Sequence, residues 1–318
     1  MARAIVYTEL GSPDVLTLVD IPDPVAGPGE VVVRVEAAGV NPLDAKRRSG
    51  SRPMPPITEP RRVGFDGAGV IESLGEGVTG FAVGDRVAIR EADGTYATHI
   101  AIAASKLETL PDAVTAAEGA ALGIPIGTAY QCVRSLGVGE GDVLLVHAGS
   151  GAVGQAVIQF AVDAGAAVIA TGSPARHDQL REVGAIPVAY GDGLAERVRA
   201  AAAETSAGEV TVALDCIGTD EAVEVSKQLV ADHDRVATIV RGPDAADLGI
   251  RAFSGGAPDP LTAEQQAWRA EAIGVAIALI EKGDFQVELG PELPLADAAE
   301  AHRLIEAHEA RGKITLVP

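Results

Sequence analysis

The sequence is short of cysteine, of aromatic side chains, of positive charge and of long apolar runs. Its 318 residues hold two cysteines, Cys132 and Cys216, too few for a disulfide framework or a four-thiolate zinc site. Aromatic residues make up 3%, which leaves few platforms for stacking single-stranded nucleic acid. Lys and Arg number 25 against 45 Asp and Glu, a formal net charge of −20. Such a surface repels phosphate, so neither nucleic acid nor an anionic membrane is expected as a partner. No uninterrupted apolar run reaches the roughly 18 residues of a membrane-spanning helix. The opening residues carry acids and a Gly-Ser-Pro turn where a secretory leader needs an apolar stretch. A cytoplasmic protein of two domains, with a large core, is the expectation.

What is present falls into two patterns. Residues 1–100 are β-branched runs at 3–7, 30–37, 67–74 and 86–89, punctuated by Gly, Pro and Asp. Short strands with regular turn signals predict a barrel-like β domain. Near residue 112 the pattern changes to helices over 111–122 and 128–136, then strands and helices in alternation. The run Val143-Leu144-Leu145-Val146-His147 reads as a strand buried on both faces. Further strands at 168–171, 187–189, 210–214 and 235–240 alternate with helices at 178–183, 194–204 and 221–229. This alternation predicts α/β architecture with a doubly wound parallel sheet. A long helix over 262–282, a second over 296–310 and a strand over 313–317 close the chain.

The strongest motif is the glycine loop Gly149-Ser150-Gly151-Ala152-Val153-Gly154, directly after the buried strand and opening a helix. In G-x-G-x-x-G the first glycine makes the turn, the second lets a pyrophosphate approach the backbone, and the third lets helix and strand pack closely. Exposed N–H groups at the helix start favour the anion. The end of the second strand selects the cofactor. An NAD enzyme usually carries an acid there for the ribose 2′-hydroxyl. This chain reads Thr171-Gly172-Ser173-Pro174-Ala175-Arg176-His177 and has no acid before Asp178. Ser173 and Arg176 suit a 2′-phosphate instead, so NADPH is expected over NADH.

With that loop stand Ala38-Gly39-Val40-Asn41-Pro42-Leu43-Asp44, Val63-Gly64-Phe65-Asp66-Gly67-Ala68-Gly69-Val70-Ile71 and Val83-Gly84-Asp85-Arg86-Val87. Gly127-Thr128-Ala129-Tyr130, Asp215-Cys216-Ile217-Gly218, Ala298-Ala299-Glu300-Ala301-His302 and Gly312-Lys313-Ile314 complete the set. Over essentially its whole length the chain resembles a zinc-independent medium-chain dehydrogenase/reductase of the quinone oxidoreductase (zeta-crystallin-like) group. The resemblance implies a Rossmann domain over 123–258 and a GroES-like β-barrel substrate domain built from both ends, 1–122 and 259–318. It implies hydride transfer from NADPH to a quinone or an activated carbon–carbon double bond. It places Asn41 beside nicotinamide and substrate, Asp44 nearby, and Thr128 at the nicotinamide end. Tyr190 then lies beside the adenosine ribose-phosphate, and Ile239, Val240 and Arg241 border the nicotinamide. A homodimer is implied too, joined edge to edge through the apolar strand near 235–240.

Zinc enzymes of this superfamily carry Cys near the position of Asn41 and Gly-His-Glu where this chain has Gly64-Phe65-Asp66, and both ligands are missing. The four-Cys lobe is missing as well. None of His99, His147, His177, His233, His302 and His308 shows ligand spacing with Cys, so no metal is expected. His147 and Cys216 read as packed residues. Where the family carries tyrosines after the Asn41 motif, this chain has Lys46 and Arg52. These two and Phe65 are the candidate substrate-binding residues. The segment 46–62 holds Lys46, Arg47, Arg48, Arg52, Arg61 and Arg62 against Glu59 alone. It offers a landing surface for an anionic small molecule (a carboxylate, a phenolate or an acyl thioester). The same cations would equally serve as salt-bridge partners for the acidic remainder. Two other readings therefore stand beside quinone or enone reduction: an enoyl-thioester or biosynthetic tailoring reductase, and a non-catalytic NADPH-binding protein.

Overall fold

A computed structural model describes residues 1–253 and 259–318. The chain forms two compact units. The first holds Met1–Ile124, Ile273–Glu281 and Val287–Pro318, and the second holds Pro125–Ala272 and Lys282–Gln286.

The first unit is a β structure. Strands β1 (Ala2–Tyr7), β2 (Thr17–Ile21), β3 (Glu30–Gly39), β4 (Arg61–Arg62), β5 (Asp66–Leu74), β6 (Arg86–Ile89), β7 (His99–Ala103) and β8 (Leu107–Thr109) come from its N-terminal segment. A three-stranded sheet runs in the order β2-β1-β4. The strand runs expected at 3–7, 30–37, 67–74 and 86–89 lie in β1, β3, β5 and β6. The strongest core residues are Val31, Val33, Val35, Ile71, Val87 and Ile89, all buried. Between β3 and β4 the helix Pro42–Ser49 starts on Asn41 and ends on Gly50, whose φ of 80° is the left-handed closure that favours glycine.

The second unit contains β9 (Val143–His147), β10 (Ala167–Thr171), β11 (Ile186–Val188), β12 (Val212–Asp215), β13 (Val236–Thr238) and β14 (Arg251–Ala252). They form one sheet in the order β11-β10-β9-β12-β13-β14, parallel throughout. Every residue of β9 is buried, as expected of a central strand in a doubly wound sheet. This is the 3-2-1-4-5-6 order, in which ligands bind beyond the C-terminal ends of the strands where the order reverses. The loop after β9 therefore lies at the place the topology reserves for a ligand.

The chain then returns to the first unit. Strands β15 (Leu289–Pro294) and β16 (Lys313–Val317) complete a seven-stranded sheet ordered β15-β16-β3-β5-β6-β8, with β7 on β3. Pairing of Leu316 with Ala38 and of Thr315 with Gly39 brings the C-terminal Lys313 beside the residues that follow β3.

Two expectations differ from what is found, and a third falls outside the described residues. The helix expected over 262–282 does not lie wholly with the substrate unit. It spans Ala263–Lys282, and its residues to Ala272 group with the second unit. Twenty residues of helix extend about 30 Å, enough for one element to serve two units. The domain boundary expected at 258 falls outside the described residues. The strand expected as an open dimer edge, β13, is paired on both sides, by β12 and β14. Among the described residues the two-residue β14 is the edge instead, a short strand of the kind that limits edge-to-edge pairing. Among the described residues no helix is long and apolar enough to cross a membrane.

Candidate active site

In the second unit the glycine loop forms a tight turn between β9 and the helix that follows. β9 ends at His147, and Ala148 follows with φ of 56°, left-handed backbone at a non-glycine residue. Thr171, at the end of β10, holds this turn. Its Oγ1 accepts the Ala148 N–H at 3.0 Å and its carbonyl accepts the Gly149 N–H at 2.9 Å. A Cβ on Gly154 would lie 2.4 Å from the Ala148 carbonyl, and one on Gly149 would lie 2.6 Å from the Ala170 side chain. Both glycines are thus required by close approach. At Gly151 the nearest atom to a Cβ is 3.6 Å away, so the space outside it is open. The helix Ala152–Asp163 starts on Gly151 with no side-chain cap. Gly151 and Ala152 are exposed and Val153 is half-buried. The first N–H groups of that helix are therefore available to an anion.

Arg176 reaches the same loop, its Nη2 donating to the Ser150 carbonyl at 3.5 Å, while Gln155 Nε2 donates to that carbonyl at 2.9 Å. Ser173 is half-buried and Tyr190 exposed. The nearest acid, Asp178, is engaged with Arg181 at 2.7 Å. The strand end that usually carries a ribose-binding acid therefore presents a hydroxyl and a guanidinium.

At the ends of β12 and β13, a pair missed by sequence reading fixes two loops. Asp215 Oδ1 accepts the N–H groups of Ile217 and Gly218 at 2.9 and 2.8 Å. Its Oδ2 accepts the Thr238 hydroxyl at 2.7 Å. That hydroxyl oxygen accepts the Val240 and Arg241 N–H groups at 3.1 and 3.0 Å. Ile239, Val240 and Arg241 are half-buried, and Arg241 is ion-paired to Asp220 and Asp244. Thr128 is buried and its hydroxyl accepts from Arg269 Nη2 at 3.4 Å. Arg269 sits 141 residues downstream, and no motif marks it. His147 is buried against the Ser226 hydroxyl at 3.1 Å. Burial pushes its imidazole down to about 4, against the opposing pull of Asp215, so it is neutral and structural. Cys132 is buried, and burial pushes its thiol up to about 12, leaving it inert.

In the first unit the residues around Asn41 form a buried polar cluster. Asn41 is 1% exposed, Asp44 2%, Asp66 0% and Lys313 5%. Asp44 Oδ2 accepts the Asn41 N–H at 2.8 Å, one arm of a helix capping box, and the Tyr96 hydroxyl at 3.1 Å. The Asn41 side chain turns the other way. Its Oδ1 accepts from Lys313 Nζ at 2.5 Å and its Nδ2 donates to Asp66 Oδ2 at 2.9 Å. Asp66 Oδ2 also accepts the Ile124 N–H at 2.9 Å and lies 3.4 Å from Lys313 Nζ. Burial raises the carboxyls of Asp44 and Asp66 and lowers the Lys313 ammonium, and the opposite charges offset part of each shift. For Asp44 the balance stands at about 7. Sequence reading found Asn41 and Asp44 but missed Lys313 as their partner.

A cavity of about 370 Å³ opens beside this cluster, with Asp44, Arg47, Arg61, Arg62 and Phe65 in its lining. The structure thus brings Asp44 and Phe65 to one cavity. Lys46 and Arg52 do not line it. Among the described residues no group of three or more His, Cys, Asp or Glu side chains is arranged to hold a metal ion.

A parallel sheet with a G-x-G-x-x-G loop after its central strand, joined in one chain to a β unit with a buried polar cluster, is the architecture of a dinucleotide-dependent oxidoreductase. Two family models match the chain: an alcohol dehydrogenase GroES-like domain over residues 27–135 and a zinc-binding dehydrogenase domain over 183–316. A quinone oxidoreductase of Pseudomonas aeruginosa is 32% identical, with all of both chains covered. A mycobacterial protein solved in complex with NADPH is 31% identical, with a TM-score of 0.81 and full coverage of both chains. A phthioceranic/hydroxyphthioceranic acid synthase of Mycobacterium tuberculosis matches 91% of this chain at 32% identity, although the match is only 14% of the synthase. The chain belongs to the medium-chain dehydrogenase/reductase family, in its quinone oxidoreductase group.

Proposed function

We propose that the protein is an NADPH-dependent reductase that delivers hydride to a quinone or an α,β-unsaturated carbonyl without zinc. The observation that carries this reading is the pairing of an open, uncapped glycine loop with Arg176 and Ser173 in place of an acid. The N–H groups of Gly151, Ala152 and Val153 hold the pyrophosphate. Ser173 and Arg176 hold the 2′-phosphate beside Tyr190, and Thr128 with Ile239, Val240 and Arg241 borders the nicotinamide. NADPH, when bound, supplies the hydride.

The remaining step is a proton, and Asp44 is the acid. Its Oδ2 is engaged by Asn41 and Tyr96, whereas its Oδ1 is buried without a partner. With the carboxyl pushed up to about 7, a large share of Asp44 is protonated at neutral pH, and Oδ1 is the oxygen free to carry that proton. Hydride adds to the electron-poor carbon, and the developing enolate or quinol oxygen takes this proton, leaving the Asp44 carboxylate to be reprotonated from water. Asn41, tied at both ends of its amide, fixes the backbone that carries Asp44.

Zinc does not fit this centre. At the family's ligand positions stand Asn41, Phe65 and Asp66, with neither thiolate nor imidazole, and the Lys313 ammonium already occupies the shared face of Asn41 and Asp66. A divalent ion there would face that ammonium at contact distance.

A second reading, enoyl-thioester reduction, draws on the likeness to the acid synthase. An NADPH-oxidation screen across quinones, enones and enoyl-thioesters, with NADH as control, separates the readings. Turnover with a quinone or enone and at least about tenfold preference for NADPH is the expected result. Binding of NADPH with no turnover in any class would overturn it in favour of a non-catalytic binding protein.

A further inference from the structure

The cavity beside Asp44 carries three arginines, Arg47, Arg61 and Arg62, that make no ion pair within 4 Å among the described residues. Arg34, Arg48, Arg235, Arg241 and Arg303 each have a carboxylate within 4 Å. Arg47, Arg61 and Arg62 have none among the described residues, in a protein with 45 acidic side chains to choose from. They are nonetheless held in place. Arg47 projects from the helix Pro42–Ser49 and its guanidinium lies 4.3 Å from the Phe65 ring centroid. Arg61 Nη2 donates to the carbonyls of Pro55 and Pro56, and Arg62 Nη2 donates to the Gly94 carbonyl at 3.1 Å. Each keeps a buried N–H without an acceptor: Nε of Arg47, Nη1 of Arg61 and Nε of Arg62. Three guanidiniums in the lining of one cavity, each with hydrogen-bonding capacity left over, favour an anion there.

We propose that Arg47, Arg61 and Arg62 form a subsite for a carboxylate, so that the physiological substrate is a small organic acid. This deepens the reductase reading and rests on it for the word substrate. Charge and size both select the ligand. The other ionisable groups in the lining are Glu59 and Asp93, both exposed, Tyr7 and Asp44. Three guanidiniums thus share the lining with the carboxyl groups of Glu59, Asp93 and Asp44, the last raised by burial to about 7. A singly charged carboxylate suits that small positive excess better than a phosphate dianion does. The volume of about 370 Å³ is at the small end of ligand pockets and too small for a coenzyme A tail. Val63, Phe65, Tyr7 and the prolines give it apolar, planar walls suited to a flat conjugated acid.

The test separates this subsite from the reductase reading by measuring binding without turnover. Benzoate is titrated calorimetrically into the full chain, with benzamide as its uncharged shape and inorganic phosphate as the competing anion, and the titration is repeated on Arg61→Gln and Arg47→Gln. We expect benzoate to bind at least about tenfold more tightly than benzamide, and each variant to remove that advantage while far-ultraviolet circular dichroism stays unchanged. In a second arm, 4-oxopent-2-enoate and its methyl ester are compared as enone substrates. The acid is expected to have the higher kcat/KM in the native enzyme only. Equal binding of benzoate and benzamide, or benzoate binding untouched in both variants, overturns the subsite even if neutral enones turn over. Phosphate binding more tightly than benzoate also overturns it. Arginine-dependent benzoate binding with no enone or quinone turnover leaves the subsite standing and overturns the reductase reading.

Discussion

Replacing Lys313 with Met is expected to cost about 3–5 kcal/mol, because it strands a buried carboxylate. Asp66 is fully buried, and among the described residues Lys313 is the only cation within 4 Å of it. The Met side chain fills the lysine's volume but supplies no charge and no donor. Asp66 keeps its bonds from Asn41 and Ile124, so the loss is that of the ion pair and of the Lys313 bond to Asn41 Oδ1. A domain is stable by about 5–15 kcal/mol in total, so this is a large fraction. Neutralising the partner as well, in Lys313→Met with Asp66→Asn, leaves no uncompensated charge and should recover at least about half of the loss. Urea unfolding followed by near- and far-ultraviolet circular dichroism measures the native protein and both variants. A single variant within about 0.5 kcal/mol of the native protein, or a double variant no better than the single, would refute the claim that the pair holds this centre.

Arg176→Ala should raise KM for NADPH by about 10–100-fold and leave KM for NADH nearly unchanged, since the loss of charged hydrogen bonds costs about 1.5–3 kcal/mol. Equal effects on both cofactors would remove Arg176 from the 2′-phosphate. Gly154→Ala should weaken NADPH binding, measured by fluorescence titration, because its Cβ would stand 2.4 Å from the Ala148 carbonyl. In Asp44→Asn, which keeps the acceptor for the Asn41 N–H, kcat should fall and lose the decline above about pH 7 that the native enzyme shows as Asp44 gives up its proton. Stability should drop in acid. Burial pushes His147 down to about 4 and, with the help of Arg48, His302 down to about 3. Both imidazoles are neutral when folded and ordinary when unfolded, so their contribution is full above about pH 6.5 and is lost as pH falls towards those values. Asp44 works in the opposite direction, its protonated folded form costing stability as pH rises from about 4 to 7. Urea midpoints measured across that range, with His302→Leu as control, should show the shallower acid limb in the variant.

The parts legible in the sequence are those written in local pattern. β9 is a continuous apolar run and the glycine loop follows it directly, so strand, turn and helix start are all encoded within a dozen or so residues. The helix Pro42–Ser49 was not legible, because Lys46, Arg47 and Arg48 fill its last turn and only Leu43 and Ala45 give it apolar character. β15 reads as loop, since Gly290, Pro291 and Pro294 fall within six residues, yet pairing with β16 makes it a strand. The polar cluster was legible by half. Asn41 and Asp44 stand in one motif, whereas Lys313 meets Asp66 across 247 positions, a contact set by the register of β16 on β3. The basic segment 46–62 was visible as composition. Which of its cations share a cavity depends on where the helix ends and β4 begins, and this selects Arg47, Arg61 and Arg62 over Lys46 and Arg52.

The central claim is a zinc-free, NADPH-driven reduction. Its most direct test is NADPH oxidation with a quinone or enone by protein dialysed against a chelator, with the metal content of the same sample measured. Full turnover at far below one zinc per chain is the predicted result. Loss of turnover on dialysis and its return with added zinc would contradict the account.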